Sequence, residues 1–332
     1  MDKRTASGTG LALALLSAAT FGTSGSFAAS LIGAGWTPGA AVTARVVTAA
    51  LILTVPALLL LRGHGALLRR SSRTLVVYGI AAVAGAQLCF FMAVDHLSVA
   101  VALLLEYSGA LLVVVYLWLR RGQRPGRLTV AGAVTAVLGL GLVLELLGNA
   151  DLDPVGVLWG LGAAVGLATY FVLSAETEDV LPPLVVAWGG LAVGGVALAA
   201  AGVVGVLPLA APRTDVTLLD AQVSWLVPIL GLSVLAAAIA YVTGIVGARL
   251  LGAKVASFVG LTEVLFAVVF AWVLLGQSLG AMQLAGAALV VVGIALVRLD
   301  ELRTPALTPV LTPDEDVVTA VRSTAPPPTT SS

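Results

Sequence analysis

The chain has 332 residues, 59% hydrophobic and only 10% charged, with a formal net charge of zero at pH 7 and a mean hydropathy of +1.08. That balance excludes a soluble globular protein. A single cysteine, Cys89, also excludes an intrachain disulfide and a clustered-thiolate metal site.

Ten apolar runs follow one another, near residues 9–31, 38–61, 75–94, 98–118, 128–147, 154–174, 183–206, 225–248, 254–274 and 281–297. Each is close to the roughly 20 residues that a spanning helix needs. Lipid offers no hydrogen-bond partners, so each run must be helical or belong to a closed barrel, and continuous runs lack the barrel's alternation. The expected fold class is therefore an all-α integral membrane protein with ten transmembrane helices.

The first run, preceded by Lys3 and Arg4, reads as a retained helix rather than a cleaved signal, since its removal would leave four spans facing five. Trp36, Trp225 and Trp272 fall at the outer interface and Trp118 at the inner, as belt residues. Trp159 and Trp188 lie deeper, in packing or in a cavity wall. His64 and His96 fall in loops on opposite sides, which excludes a shared metal site, and no metal or cofactor is expected. From Asp300 to Ser332 the chain is rich in Pro, Thr, Ser and acids and reads as a disordered tail.

With a cytoplasmic N-terminus, 15 Lys and Arg residues fall inside and only Arg213 outside, with Arg45 inside a span. This obeys the positive-inside rule in each loop that can test it and puts both termini in the cytoplasm. A missed or invented helix would invert every later loop.

Shifting the chain by 154 residues lays Leu97–Val143 on Leu251–Val297 without a gap. Trp118 falls on Trp272, and Gly122-Gln123 falls on Gly276-Gln277. The organisation is thus residues 1–8 as a cytoplasmic N-terminus, 9–147 as a first repeat, 154–297 as a second, and 298–332 as a cytoplasmic tail. Five spans is an odd number, so the second repeat enters the membrane from the opposite face and the repeats are inverted. Gly139 and Gly293 are read as packing residues.

Three ionisable residues lie far from an interface: Arg45, Glu106 and Glu263. At about 1.5 Å per residue, Glu106 is roughly 12 Å below the outer boundary near Ser98, and Glu263 roughly 14 Å above the inner boundary near Lys254. Both carboxylates are close to the midplane of a core about 30 Å thick. The shift carries Glu106 onto Gly260, with Glu263 one turn further on. Arg45 lies at about the depth of Glu106, as an ion-pair or water-linked neighbour. Glu263 has no obvious partner, unless Lys254 or Arg249 reaches it, which suits a proton or a cationic group.

Thr262-Glu263-Val264, followed by Leu274-Leu275-Gly276-Gln277, resembles the EamA group of the drug/metabolite transporter superfamily, as does the layout of paired halves. Glu106-Tyr107-Ser108-Gly109-Ala110 is similar to the Glu-aromatic-Thr-Gly-Pro stretch of threonine/homoserine-type exporters in that group. Ala110 and Val264 stand where Pro is usual, and Gln123 and Gln277 where Glu is usual. Loss of both prolines removes an expected kink and suggests a rigid-helix variant.

The resemblance implies a central cavity lined from both halves and alternating access by rocking. Candidate residues of a substrate or proton pathway are Arg45, Gln87, Glu106, Tyr107, Ser108, Tyr170, Tyr241, Ser257, Thr262 and Glu263, with Thr20 and Ser24 as further polar lining. Any one hydroxyl can instead bond a carbonyl of its own preceding turn. The expected function is proton-linked or facilitated export of small metabolites such as amino acids, with a small-molecule substrate, protons and the lipid bilayer as partners and no nucleic acid. The alternatives are a lipid-handling or structural integral protein, or a membrane-embedded enzyme. No Ser/His/Asp set, metal-ligand cluster or nucleotide loop supports the last, and no catalytic residue is assigned.

Overall fold

The computed structural model describes residues 3–62, 65–96, 99–143, 153–176, 181–218, 221–275 and 280–303. Helices α1 (Lys3–Gly22) and α2 (Ser24–Gly33) form one rod interrupted at Thr23. The Thr23 hydroxyl donates to the Thr20 carbonyl at 2.7 Å, a back-bond of the kind that bends helices. Next comes α3 (Pro38–Leu60), where Pro38 suits the first turn and the Thr37 hydroxyl caps the Ala40 amide at 3.3 Å.

The short α4 (Gly65–Arg70) leads to α5 (Ser72–Val77), a π-helical segment (Tyr78–Gly85) and α6 (Ala86–His96). Then come α7 (Val99–Tyr107), α8 (Gly109–Arg121) and α9 (Arg127–Val143). Beyond α10 (Pro154–Glu176) and α11 (Pro183–Val203), a small antiparallel hairpin pairs β1 (Val216–Leu218) with β2 (Ala221–Val223). A second π-helical segment (Gly231–Ile239) joins α12 (Leu226–Leu230) to α13 (Ala240–Gly260), and α14 (Thr262–Leu275) and α15 (Ala281–Arg303) complete the fold. Helix α13 turns a corner at Gly252, whose φ of +77° suits a residue without a side chain.

Among the described residues, six stretches are long and apolar enough to cross a membrane: Ser7–Gly33, Pro38–Leu60, Ser72–Ala93, Pro154–Ala175, Pro183–Val203 and Leu226–Gly260. Large apolar side chains such as Leu51, Leu119, Leu158 and Val196 point outward. Such a surface is costly in water and suited to lipid.

Internal correspondences go beyond the sequence match. Adding 154 to 78–85 gives 232–239, which lies within the second π-helical segment. The interruption at Ser108, between α7 and α8, has its counterpart at Leu261, between α13 and α14, one residue short of the same shift. At both points the backbone tightens to a three-residue bond, from the Ser108 amide to the Leu105 carbonyl (3.2 Å) and from the Leu261 amide to the Phe258 carbonyl (3.1 Å).

The rigid-helix expectation is therefore overturned. Where proline is missing, hydroxyls turned onto their own helix do the interrupting. Ser108 donates to the Leu105 carbonyl at 2.6 Å and Thr262 to the Val259 carbonyl at 2.7 Å, each beside a glycine or one residue from it.

Three further expectations change. The hairpin makes the fold mostly, rather than purely, helical. Trp36 is no belt residue: it is buried, stacks on Trp225 with ring centroids 5.8 Å apart, and donates from Nε1 to the Pro212 carbonyl at 2.8 Å. The last helix runs to Arg303 rather than ending at 297, because Asp300 is buried and accepts a hydrogen bond from Thr129 on α9. Residues 304–332, His64, Gln277 and the Trp272 side chain lie outside what is described.

Helices α9 and α15 pack closely through their glycines. A Cβ on Gly139 would come 2.7 Å from the Gly286 carbonyl oxygen, and one on Gly293 would come 2.6 Å from that of Gly132. Backbone contact of this kind replaces the hydrophobic drive that lipid removes.

Candidate functional site

A cavity of about 60 Å³ lies inside the bundle, room for a few waters. Ser17 and Phe21 come from α1, Ala82 from the first π-helical segment, Gln87 from α6, and Glu106 and Tyr107 from the last turn of α7. Tyr170 and Phe171 on α10, Tyr241, Gly244 and Gly260 on α13, and Glu263 in the first turn of α14 complete the wall.

Six of the ten candidate residues therefore line the cavity: Gln87, Glu106, Tyr107, Tyr170, Tyr241 and Glu263. The other four do not. Ser108, Ser257 and Thr262 give their hydroxyl protons to the carbonyls of Leu105, Lys254 and Val259 at 2.6, 2.8 and 2.7 Å. Thr20 likewise donates to the Leu16 carbonyl at 2.8 Å.

Arg45, the fourth, is buried behind the wall. Its Nη1 donates to Ser24 Oγ at 3.0 Å and Gln87 Oε1 at 2.9 Å, its Nη2 donates to the Ala236 carbonyl, and its guanidinium lies 5.7 Å from the centre of the Phe21 ring. It joins α3 to α2, α6 and the second π-helical segment. Of the two expected links between Arg45 and Glu106, the direct ion pair does not form, because these acceptors already hold the guanidinium; both carboxylates remain within its electrostatic reach.

Glu263 has a partner that the sequence did not suggest. The Tyr107 hydroxyl lies beside the Glu263 carboxylate, in reach of it as a donor, while Glu106 lies close enough to Glu263 for the two to repel. The helix ends treat the two carboxylates differently: the N-terminus of α14 favours negative charge at Glu263, and the C-terminus of α7 opposes it at Glu106.

Aromatic rings form much of the wall. Tyr170 makes edge contacts with Phe171 (centroids 5.0 Å apart), Tyr241 (5.6 Å) and Phe21 (6.5 Å). A Cβ on Gly244 would clash with the Tyr170 hydroxyl and sit 2.6 Å from Ser17 Oγ, so this glycine makes room for both. Sequence reasoning passed over Ser17, Phe21 and Phe171. The available signal was position: Phe171 follows Tyr170, and Ser17 and Phe21 are one turn apart on one helix face.

Trp188 donates to Thr54 Oγ1 at 3.0 Å, joining α11 to α3, and does not line the cavity. Near one end of the bundle, His96 Nδ1 lies 2.9 Å from the Asp153 carboxylate, which also accepts the Val155 amide at 2.8 Å.

The profile of the EamA-like transporter family matches the chain twice, over residues 8–145 and 154–299. No curated protein matches. Among solved structures, one described only as "Crystal structure of protein" superposes with a TM-score of 0.71 at 21% identity, over 89% of this chain and 98% of that one. That likeness speaks for the fold alone.

Proposed function

This chain belongs to the EamA-like transporter family, and on that premise we propose that it is a secondary exporter of small metabolites that carry an ammonium group, amino acids among them. Family and apolar helices make it a multi-pass membrane protein that moves small molecules. In our reading the two matched units are inverted five-helix repeats with both termini cytoplasmic, in a cell or inner membrane. The π-helical segments and helix interruptions that recur at a spacing of 154 residues, or within one of it, support this reading. Access alternates by rocking one unit against the other.

The observation that carries the proposal is the cavity, where Glu106 of the first unit and Glu263 of the second face the same space. Carboxylates within a membrane are costly and are kept where an ion or a proton passes. Glu263 and Glu106 exchange a proton for the substrate's ammonium group, and Tyr107 orients Glu263. The interrupted helices beside both carboxylates provide a hinge that needs no proline.

Purified protein in liposomes, loaded with a panel of amino acids and amines and given a pH gradient, tests this. Flux that follows the gradient and fails in Glu106→Gln and Glu263→Gln is the expected result. Full gradient-driven flux in both variants would remove the proton role.

A further inference from the structure

We infer that the cavity selects a substrate that carries a positive charge and no carboxylate, so that an amine is preferred to the amino acid from which it differs by one carboxylate. This rests on the transport reading above and narrows its substrate class. Two carboxylates face the cavity, and among the described residues no cationic side chain lines it. Glu106 is 9% exposed, and among the described residues its carboxyl accepts no hydrogen bond; a ligand ammonium would supply the missing donor.

Arg45 is the residue that would receive a substrate carboxylate, and its terminal nitrogens are already committed, which leaves only the buried Nε without a partner. Both of its terminal nitrogens are hydrogen-bonded, to Ser24, Gln87 and Ala236, and Gln87 stands between it and the cavity. A zwitterion would therefore bring its carboxylate against Glu106 and Glu263 with no cationic side chain among the lining residues to offset the repulsion.

The walls fit the same chemistry. Phe171 and Tyr241 each make ring contact with Tyr170, so a cation lies against the cavity side of the cluster rather than between its rings. Ring faces attract ammonium groups, and more strongly where water is excluded.

Calorimetry on the purified full chain compares tyramine with tyrosine, phenethylamine with phenylalanine, and putrescine with ornithine. Each amine is expected to bind about tenfold or more tightly than its amino acid, a gap of about 1.4 kcal/mol. Glu106→Gln and Glu263→Gln should each weaken amine binding by about tenfold and narrow that gap. Equal or tighter binding of the amino acids, or no binding of any amine, overturns the inference; this comparison uses unmodified protein, so it stands even if a variant does not fold.

Liposome flux separates the two levels. Transport of the amino acids without their amines sinks the preference and spares the transport reading. Amine binding without movement of any compound across the membrane does the reverse.

Discussion

The Tyr107 hydroxyl lies beside the carboxylate of Glu263, and so brings the first family-matched unit, residues 8–145, against the second, residues 154–299, at the wall of the cavity. This pairing places a neutral donor beside one of the two acids that face the cavity. It also makes the cavity a joint product of both units.

Tyr107→Phe keeps the ring and removes the donor. Hydrogen bonds to charged groups contribute roughly 1.5–3 kcal/mol, so thermal unfolding in detergent should show a loss of about that size. Flux should fall as well, since Glu263 loses its orienting partner. Unchanged stability would mean that the bond does not persist in the folded protein.

Arg45→Lys tests whether the guanidinium is structural. A lysine cannot reproduce the fork that reaches Ser24, Gln87 and the Ala236 carbonyl together. We expect a loss of roughly 2–4 kcal/mol, with the flux per folded molecule of an amine substrate far less affected than the amount of folded protein. A large loss of flux in a fully stable variant would instead make Arg45 part of the transport path.

Gly293→Ala probes the contact between α9 and α15. The new Cβ would meet the backbone oxygen of Gly132 at 2.6 Å, and backbone gives way less readily than a side chain. Overpacking of this kind costs about 1–3 kcal/mol. Gly244→Ala, by contrast, meets side-chain hydroxyls, those of Tyr170 and Ser17, and should reduce ligand affinity more than stability; binding and melting measured on the same preparation separate the two.

Asp153 provides the pH test. The Val155 amide, and after it His96, hold its carboxyl below the ordinary value of 3.8. A carboxyl with a depressed folded-state value stabilises the protein fully above its unfolded value and loses that contribution as pH falls through the folded one. Melting temperature measured from pH 5 down to pH 2.5 should therefore carry a component of acid destabilisation that is missing in Asp153→Asn. Identical profiles for the two proteins would remove Asp153 as its source.

How much was legible in the sequence differs between fold and site. Glu106 and Glu263 stand out because an ionisable residue in an apolar run is rare and costly, and both line the cavity. Ser108, Ser257 and Thr262 carried the same polar label, yet each turns onto its own helix, an option open to any hydroxyl that sequence depth does not resolve. The depth estimate set Arg45 beside Glu106, but depth fixes one coordinate only. Rotation about the helix axis turned the guanidinium toward Ser24, Gln87 and Ala236 instead.

Composition and periodic apolar runs are enough to establish the helical membrane class and the two related units, because they state what solvent each segment needs. Which side chains face one another follows from the packed fold. It interrupted two helices without proline, gave Glu263 to Tyr107, and sealed Arg45 behind Gln87. The reason is physical: burial cost is a property of one residue and can be read along a chain, whereas hydrogen-bond partnership depends on distance and orientation between residues far apart in it.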